Sequence, residues 1–237
     1  MFSYEALQRY SDTDMAIYRY VTANLETVPY MTIRELARAV HASPAAILRF
    51  CEKNGCQGYT QWKQALGQEQ ARLAATPPSP DLAALSAFFA RANSGAFEEK
   101  LTAAVALLRG ADLVLFWGSG SSGTLARYGA RYFSNLGKFS VGLEDTYYPV
   151  ETFRYQNTAA MVLSESGETG ELVELARRIQ QTGCPVLSIT NSPQSTLARL
   201  SDWNFSYQMD HQRTLGGYNA TTQVPVLFVL EALAKRL

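Results

Sequence analysis

Three prolines in four positions, Pro77-Pro78-Ser79-Pro80, divide this chain into two pieces built on different patterns. Proline fixes φ and removes an amide donor, so such a run cannot carry a helix through and favours an extended connector. Residues 76–81 are therefore expected to form a linker between an N-terminal domain over 1–75 and a larger C-terminal domain over 82–237. The length of 237 residues, set against roughly 150 per domain, agrees with one small and one large unit.

The first piece has helical periodicity throughout. Met15, Ile17, Tyr18 and Val21 make an apolar stripe at i, i+3, i+4 spacing, with Asp12 or Thr13 available as its cap. Thr32-Ile33-Arg34-Glu35 has the form of a capping box, in which the Thr32 and Glu35 side chains would satisfy each other's orphan amides. Ile33, Leu36, Ala37 and Val40 would be its buried face. After His41-Ala42, Ser43-Pro44 opens a third helix with serine at the cap and proline at the first helical position. Ile47, Leu48 and Cys51 are expected inside it; Arg49, Glu52 and Lys53 are expected outside. Asn54-Gly55 ends that helix, and Tyr59–Leu66 has the pattern of a fourth.

The second piece alternates. Helical segments over Leu82–Arg91 and Ala96–Leu108 precede short apolar runs at Asp112–Trp117, Phe139–Leu143, Ala159–Leu163, Pro185–Thr190 and Trp203–Tyr207, with helix-length patterns between them. Near-continuous apolarity marks strands buried on both faces, so the pattern predicts a three-layer α/β fold around a parallel sheet. An apolar helix over Thr222–Leu237 closes the chain. Its run Val224–Leu230 is apolar on more than one face, which suits either burial within the monomer or, the preferred reading, a dimer interface.

Two loops carry the chemistry. The first strand runs into Gly118-Ser119-Gly120-Ser121-Ser122-Gly123 and then a helix. Glycines let backbone amides approach a ligand, the helix N-terminus favours an anion, and serine hydroxyls add donors. The string also satisfies GxGxxG, with Glu144 or Asp145 about 20 residues on, so a dinucleotide site has to be weighed. The third strand runs into Ser164-Glu165-Ser166-Gly167-Glu168-Thr169, again before a helix over Gly170–Gln181. A dinucleotide fold needs no such second loop. In a flavodoxin-like order 2-1-3-4-5, however, strands 1 and 3 flank the switch point, and both loops converge on one crevice. That concentration of hydroxyls suits a small phosphorylated, polyhydroxylated ligand better than it suits simple helix capping.

Charge and cysteine content set outer bounds. The 21 Lys+Arg balance 21 Asp+Glu, which argues against nucleic-acid binding by bulk positive charge. Residues 1–75 carry eight cations against seven anions, a net of +1, but Arg34 and Arg38 share one helix, and Arg49 and Lys53 the next. Phosphate contacts need such local clusters rather than global charge. Cys51, Cys56 and Cys184 sit in no CxxC or Cys/His cluster, so neither a disulfide frame nor a metal site is expected, and buried thiols in a reducing cytoplasm are. No apolar run is long enough to span a membrane, and the N-terminus lacks a basic region followed by an apolar one, so no secretory signal is expected.

Gly118–Gly123 followed by Ser164-x-Ser166-Gly167-x-Thr169, one βαβ unit apart, resembles the sugar isomerase (SIS) domain that binds phosphosugars. Met31-Thr-Ile-Arg-Glu-Leu-Ala37, Ser43-x-x-x-Ile47-x-Arg49-Phe50-Cys51, Gly58-Tyr59 and Trp62-Lys63 resemble the helix-turn-helix of RpiR-type transcriptional regulators, which join these two modules in this order. The resemblance implies that Ser121, Ser122, Ser164, Ser166 and Thr169 contact a sugar phosphate, with Gly118, Gly120 and Gly167 shaping the backbone. It implies a recognition helix over Ser43–Lys53 in the major groove, with Arg34, Ser43, Pro44, Ala45, Ala46, Arg49 and Lys53 as the DNA-facing set. Ala46 stands where the family commonly has Ser or Thr. The expected function is an operator-binding regulator, a homodimer or higher oligomer without a cofactor, whose DNA affinity a phosphosugar modulates. Two alternatives stand beside it. One is a phosphosugar isomerase with an appended helical domain, needing a base such as Glu144, Glu165, Glu168 or His211. The other is a redox regulator that reads a dinucleotide through Gly118–Gly123. His211 itself can be a surface loop residue, a ligand contact or a base.

Overall fold

Each helix of the N-terminal region begins where a short polar side chain can take over a free amide. A computed structural model describes residues 2, 4–75, 79–150 and 157–237, and the centre of the expected linker, 76–78, lies outside the described residues. The chain divides into two units, Met1–Ser79 and Pro80–Leu237.

The first unit contains α1 (Tyr4–Leu7), α2 (Asp12–Ala23), α3 (Ile33–Ala39), α4 (Pro44–Lys53) and α5 (Tyr59–Ala75). Ser11, not Asp12 or Thr13, caps α2: its hydroxyl accepts from the Asp14 amide while the Asp14 carboxylate accepts from the Ser11 amide at 2.8 Å. The stripe from Met15 to Val21 leaves this choice open because three polar residues precede it. The Thr32–Glu35 capping box forms as expected, and Ser43 caps α4 with Pro44 at its first position. Ile17, Val21, Leu36, Ile47, Phe50, Cys51 and Trp62 build the core. Phe50 takes the inward place expected of Leu48, which is 40% exposed. Helix α5 runs nine residues past Leu66, because nothing in Gly67–Ala75 breaks it before Pro77.

In the second unit α6 (Pro80–Ala92) and α7 (Gly95–Arg109) lead into five strands: β1 (Leu113–Gly118), β2 (Ser140–Leu143), β3 (Thr158–Ser164), β4 (Val186–Thr190) and β5 (Trp203–Ser206). The sheet is wholly parallel with order β2-β1-β3-β4-β5, the flavodoxin-like order expected from the sequence. Helices α8 (Ser121–Asn135), α9 (Gly170–Gln181), α10 (Thr196–Leu200) and α11 (Val224–Ala234) complete the layers. One core lies on each sheet face: Phe116, Met161, Leu187 and Leu230 belong to the first, and Trp117, Val162, Leu175 and Val186 to the second. Helix α11 places Val226, Val229, Leu230 and Leu233 in the monomer's own core, so most of its apolar surface is used internally. Val224 and Phe228 remain 42% and 37% exposed. Among the described residues no helix is long and apolar enough to cross a membrane.

Candidate functional site

Strands β1 and β3 are adjacent, so the loops that follow them lie side by side at the carboxyl edge of the sheet. The first loop is shaped by close packing against the start of α8. A Cβ on Gly118 would lie 2.6 Å from the Ser122 carbonyl, and one on Gly123 would lie 2.9 Å from the Gly118 oxygen. Gly120 adopts φ +56°, a conformation that disfavours side chains, at the N-cap of α8. With glycine there, no side chain caps that helix. Ser119 and Ser121 are exposed and Ser122 is buried, and among the described residues their hydroxyls have no protein partner.

The second loop is braced from within and from α10. Ser164 Oγ accepts from the Gly167 amide at 3.1 Å and lies 3.4 Å from Thr169 Oγ1, while Ser166 Oγ accepts from the Glu168 amide at 3.2 Å. Gly167 has φ +66°, and a Cβ there would sit 2.2 Å from Ser195 Oγ. The Thr196 amide donates to Glu168 Oε1 at 2.8 Å, and these Thr196 bonds hold the Glu168 carboxyl below its ordinary range. Thr169 occupies the N-cap of α9, yet its side chain makes no capping bond. Both helices that point at the crevice thus present amides that no side chain occupies. That departs from the expectation for ordinary helix starts and suits an incoming anion.

Between the loops lies a cleft of about 490 Å³. Gly118, Gly120 and Thr169 line it, whereas Ser121, Ser122, Ser164, Ser166 and Gly167 stand behind or beside the lining. Sequence reasoning missed Ser119, Arg127, Tyr147 and Glu171, which complete the walls. Arg127 follows one turn into α8 and is ion-paired with Glu144, the residue weighed for a ribose contact. The buried Trp117 donates its indole N–H to the Asp145 carbonyl at 3.3 Å, anchoring that wall to the end of β1.

Glu165 points away from the cleft lining and is almost wholly buried. Its carboxylate lies 2.7 Å from His211 Nδ1 and accepts from Arg213 Nη2 at 2.6 Å and from the Thr221 hydroxyl at 3.3 Å. His211 Nε2 lies 3.4 Å from Asn191 Nδ2, and the Asn191 side chain in turn binds both backbone groups of Met209. His211 is therefore a pinned member of a polar cluster. The cluster ties the second loop to a small hairpin, closed by the Arg213–Asn219 bridge, that pattern reading did not foresee. The Cys51 and Cys184 thiols are pushed up to about 12 by burial, as inert thiols should be, and all three cysteines are free.

In the first unit, α3 and α4 are joined by a tight turn in which His41 adopts φ +52° and the Ala42 amide donates to the Ala37 carbonyl at 2.8 Å. Ser43, Pro44, Ala45 and Arg49 are exposed along one side of α4, and Arg34 is exposed on α3. Neither Arg34 nor Arg49 is paired with a carboxylate among the described residues. Two members of the expected DNA-facing set are placed otherwise. Ala46 is buried at 8% exposure and faces the core. Lys53 is drawn 2.5 Å from the buried carboxylate of Asp14, a partner 39 residues distant.

Comparison with known proteins agrees with this geometry. Residues 107–236 match the SIS domain family, and residues 4–72 match the helix-turn-helix domain of the rpiR family. The HTH-type transcriptional regulator TTE0211 of Caldanaerobacter subterraneus is 26% identical over 251 residues, covering 98% of this chain and 89% of its own. Among solved structures, the Vibrio vulnificus NanR protein complexed with ManNAc-6P superposes with a TM-score of 0.55 at 23% identity, covering 97% of this chain and 87% of that one. The E. coli CFT073 protein c3406, solved as a phosphosugar complex, gives a TM-score of 0.51 at 24% identity, covering 67% and 90%. At these identities the structural likeness establishes the fold.

Proposed function

This chain is a member of the rpiR family of helix-turn-helix regulators that carry a SIS domain, and we propose that a phosphorylated sugar held between its two loops controls its affinity for operator DNA. The observation that carries the proposal is the pair of uncapped helix starts, α8 and α9, facing one hydroxyl-lined cleft. Structural neighbours caught with ManNAc-6P and with a second phosphosugar support the ligand class. The phosphate is taken by the second loop through Ser164, Ser166, Thr169 and the first amides of α9, with Gly167 shaping the turn, while Gly118, Gly120, Ser121 and Ser122 hold the sugar. On the DNA side Arg34, Ser43, Pro44, Ala45 and Arg49 meet the operator, and Ala46 and Lys53 serve the fold. Reading a palindrome requires two copies, and the exposed Phe89 and Phe228, with ring centroids 5.2 Å apart, offer an apolar face for that pairing. The regulator works in the cytoplasm, with its thiols reduced.

The site binds without turnover. An isomerase needs a base free to take a proton beside a carbonyl, and both oxygens of Glu165 are already engaged by His211, Arg213 and Thr221. A dinucleotide reading needs a free acid for the ribose, and Glu144 is paired with Arg127. The test is a gel shift of the full chain on its own promoter, with and without hexose and hexosamine phosphates that raise its melting temperature. A change in DNA affinity of about 5- to 150-fold is expected, the usual range of such coupling. If DNA binds but no sugar phosphate alters stability or affinity, the proposal fails. Steady turnover would promote the isomerase reading, and tight NADH binding that survives Ser164→Ala and Ser166→Ala would promote the other.

A further inference from the structure

A second cavity, of about 340 Å³, lies on the far side of the sheet from β2, where β5 ends the strand order. Three buried aromatic side chains wall it: Phe88 near the end of α6, Phe97 in the first turn of α7, and Phe205 on β5. Phe97 and Phe205 meet edge to face, with centroids 5.6 Å apart, so these walls are fixed. Two cations stand at the rim. Arg91 is in the last turn of α6, and the Lys100 ammonium lies 5.9 Å from the Trp203 ring centroid. Neither is paired with a carboxylate among the described residues. The floor is rigid, because the Asn204 amide donates to Ser188 Oγ at 2.9 Å and Thr190 Oγ1 at 3.0 Å, and its own oxygen accepts from Ser206 at 2.6 Å. As an edge strand, β5 turns its outward backbone groups to this side, where no further strand among the described residues pairs with them.

We propose that this cavity is a second ligand site, for a small organic acid carrying a flat apolar body. Its size lies in the range of small-molecule sites, about 300–1,000 Å³. Aromatic walls disfavour a polyhydroxylated sugar and favour a ring or short chain, while Arg91 and Lys100 supply the charge for a carboxylate. The site is distinct from the cleft between the loops and does not depend on what that cleft binds. The experiment titrates the full chain by isothermal calorimetry with benzoate, with benzyl alcohol as the uncharged ring, and with acetate as the charge without a ring. Benzoate is expected to bind saturably at one per chain, with each control at least about tenfold weaker. Arg91→Gln with Lys100→Gln, both at exposed positions, should weaken benzoate about tenfold while leaving the unfolding midpoint unchanged. Thr169→Val, in the cleft, should leave benzoate affinity as it was. No saturable benzoate binding, equal binding of the neutral ring, indifference to the double substitution, or loss on Thr169→Val would each overturn the proposal.

Discussion

Replacing Gly167 with alanine tests the second loop most sharply, because two separate costs can be located. At φ +66° an L-residue is strained by about 1–2 kcal/mol. The new Cβ would also stand 2.2 Å from Ser195 Oγ and 2.5 Å from Ser195 Cβ, distances no relaxed structure keeps. Ser195 cannot simply swing aside. Its hydroxyl donates to the Ser192 carbonyl at 3.0 Å and accepts from the Ala198 amide at 3.3 Å, capping α10, and losing that cap costs about 1 kcal/mol. Overpacking adds about 1–3 kcal/mol, for a total of about 3–6 kcal/mol. For a unit of this size the melting temperature should fall on the order of 10–20 °C. The assay is thermal unfolding of the full chain by circular dichroism, resolving the transitions of the two units. The companion Gly167→Ala/Ser195→Gly removes the obstructing atoms, and glycine is a tolerable cap, so it should recover most of the loss except the φ strain. If the single variant melts within about 2 °C of the parent, or the double is no better than the single, the packing account is wrong.

Other substitutions probe the first unit. Burial raises the Asp14 carboxyl, but hydrogen bonds from Lys53 and Ser11 outweigh it and hold the group below its ordinary value. A group so depressed stabilises the fold above its unfolded titration range, and that contribution is lost as pH falls through the folded one. Acidification below about pH 4 should therefore destabilise this unit. Asp14→Asn should flatten that decline while costing about 1–3 kcal/mol at neutral pH, and superimposable acid curves would count against the pairing. His41→Gly relieves a left-handed residue in the turn between α3 and α4, so denaturant unfolding should show a gain of about 0.5–1 kcal/mol rather than a loss. Arg49→Ala should weaken operator binding and lower the slope of log affinity against log salt by about 1, and an unchanged slope would remove Arg49 from the phosphate contacts.

What can be recognised in the sequence is local. The Thr32–Glu35 box, Ser43-Pro44 and the span of α9 lie within a few residues of their own causes, and they appear where the pattern places them. The strand order follows from two loops of similar chemistry one βαβ unit apart. What stays hidden depends on partners distant in the chain. Lys53 has the look of a free surface cation until Asp14 arrives from 39 residues away. Glu165 is one glutamate among several until His211 and Arg213, 46 and 48 residues on, close around it. The cap of α2 falls one residue before its expected place because Ser11, Asp12 and Thr13 are chemically similar caps, and only the Asp14 side chain decides among them.

The bare starts of α8 and α9 bear on how the protein's robustness and its sensing are connected. A helix whose first amides lack a side-chain partner is less stable than it could be, and whatever anion settles there completes it. Resistance to heat should then rise and fall with the supply of that anion, so that a preparation in phosphate or sulfate would look sturdier than one in chloride. The same feature limits engineering for durability: an acidic residue at Thr169 would finish α9 permanently, strengthen the empty protein and repel its ligand. Responsiveness here is incompleteness retained at two helix ends.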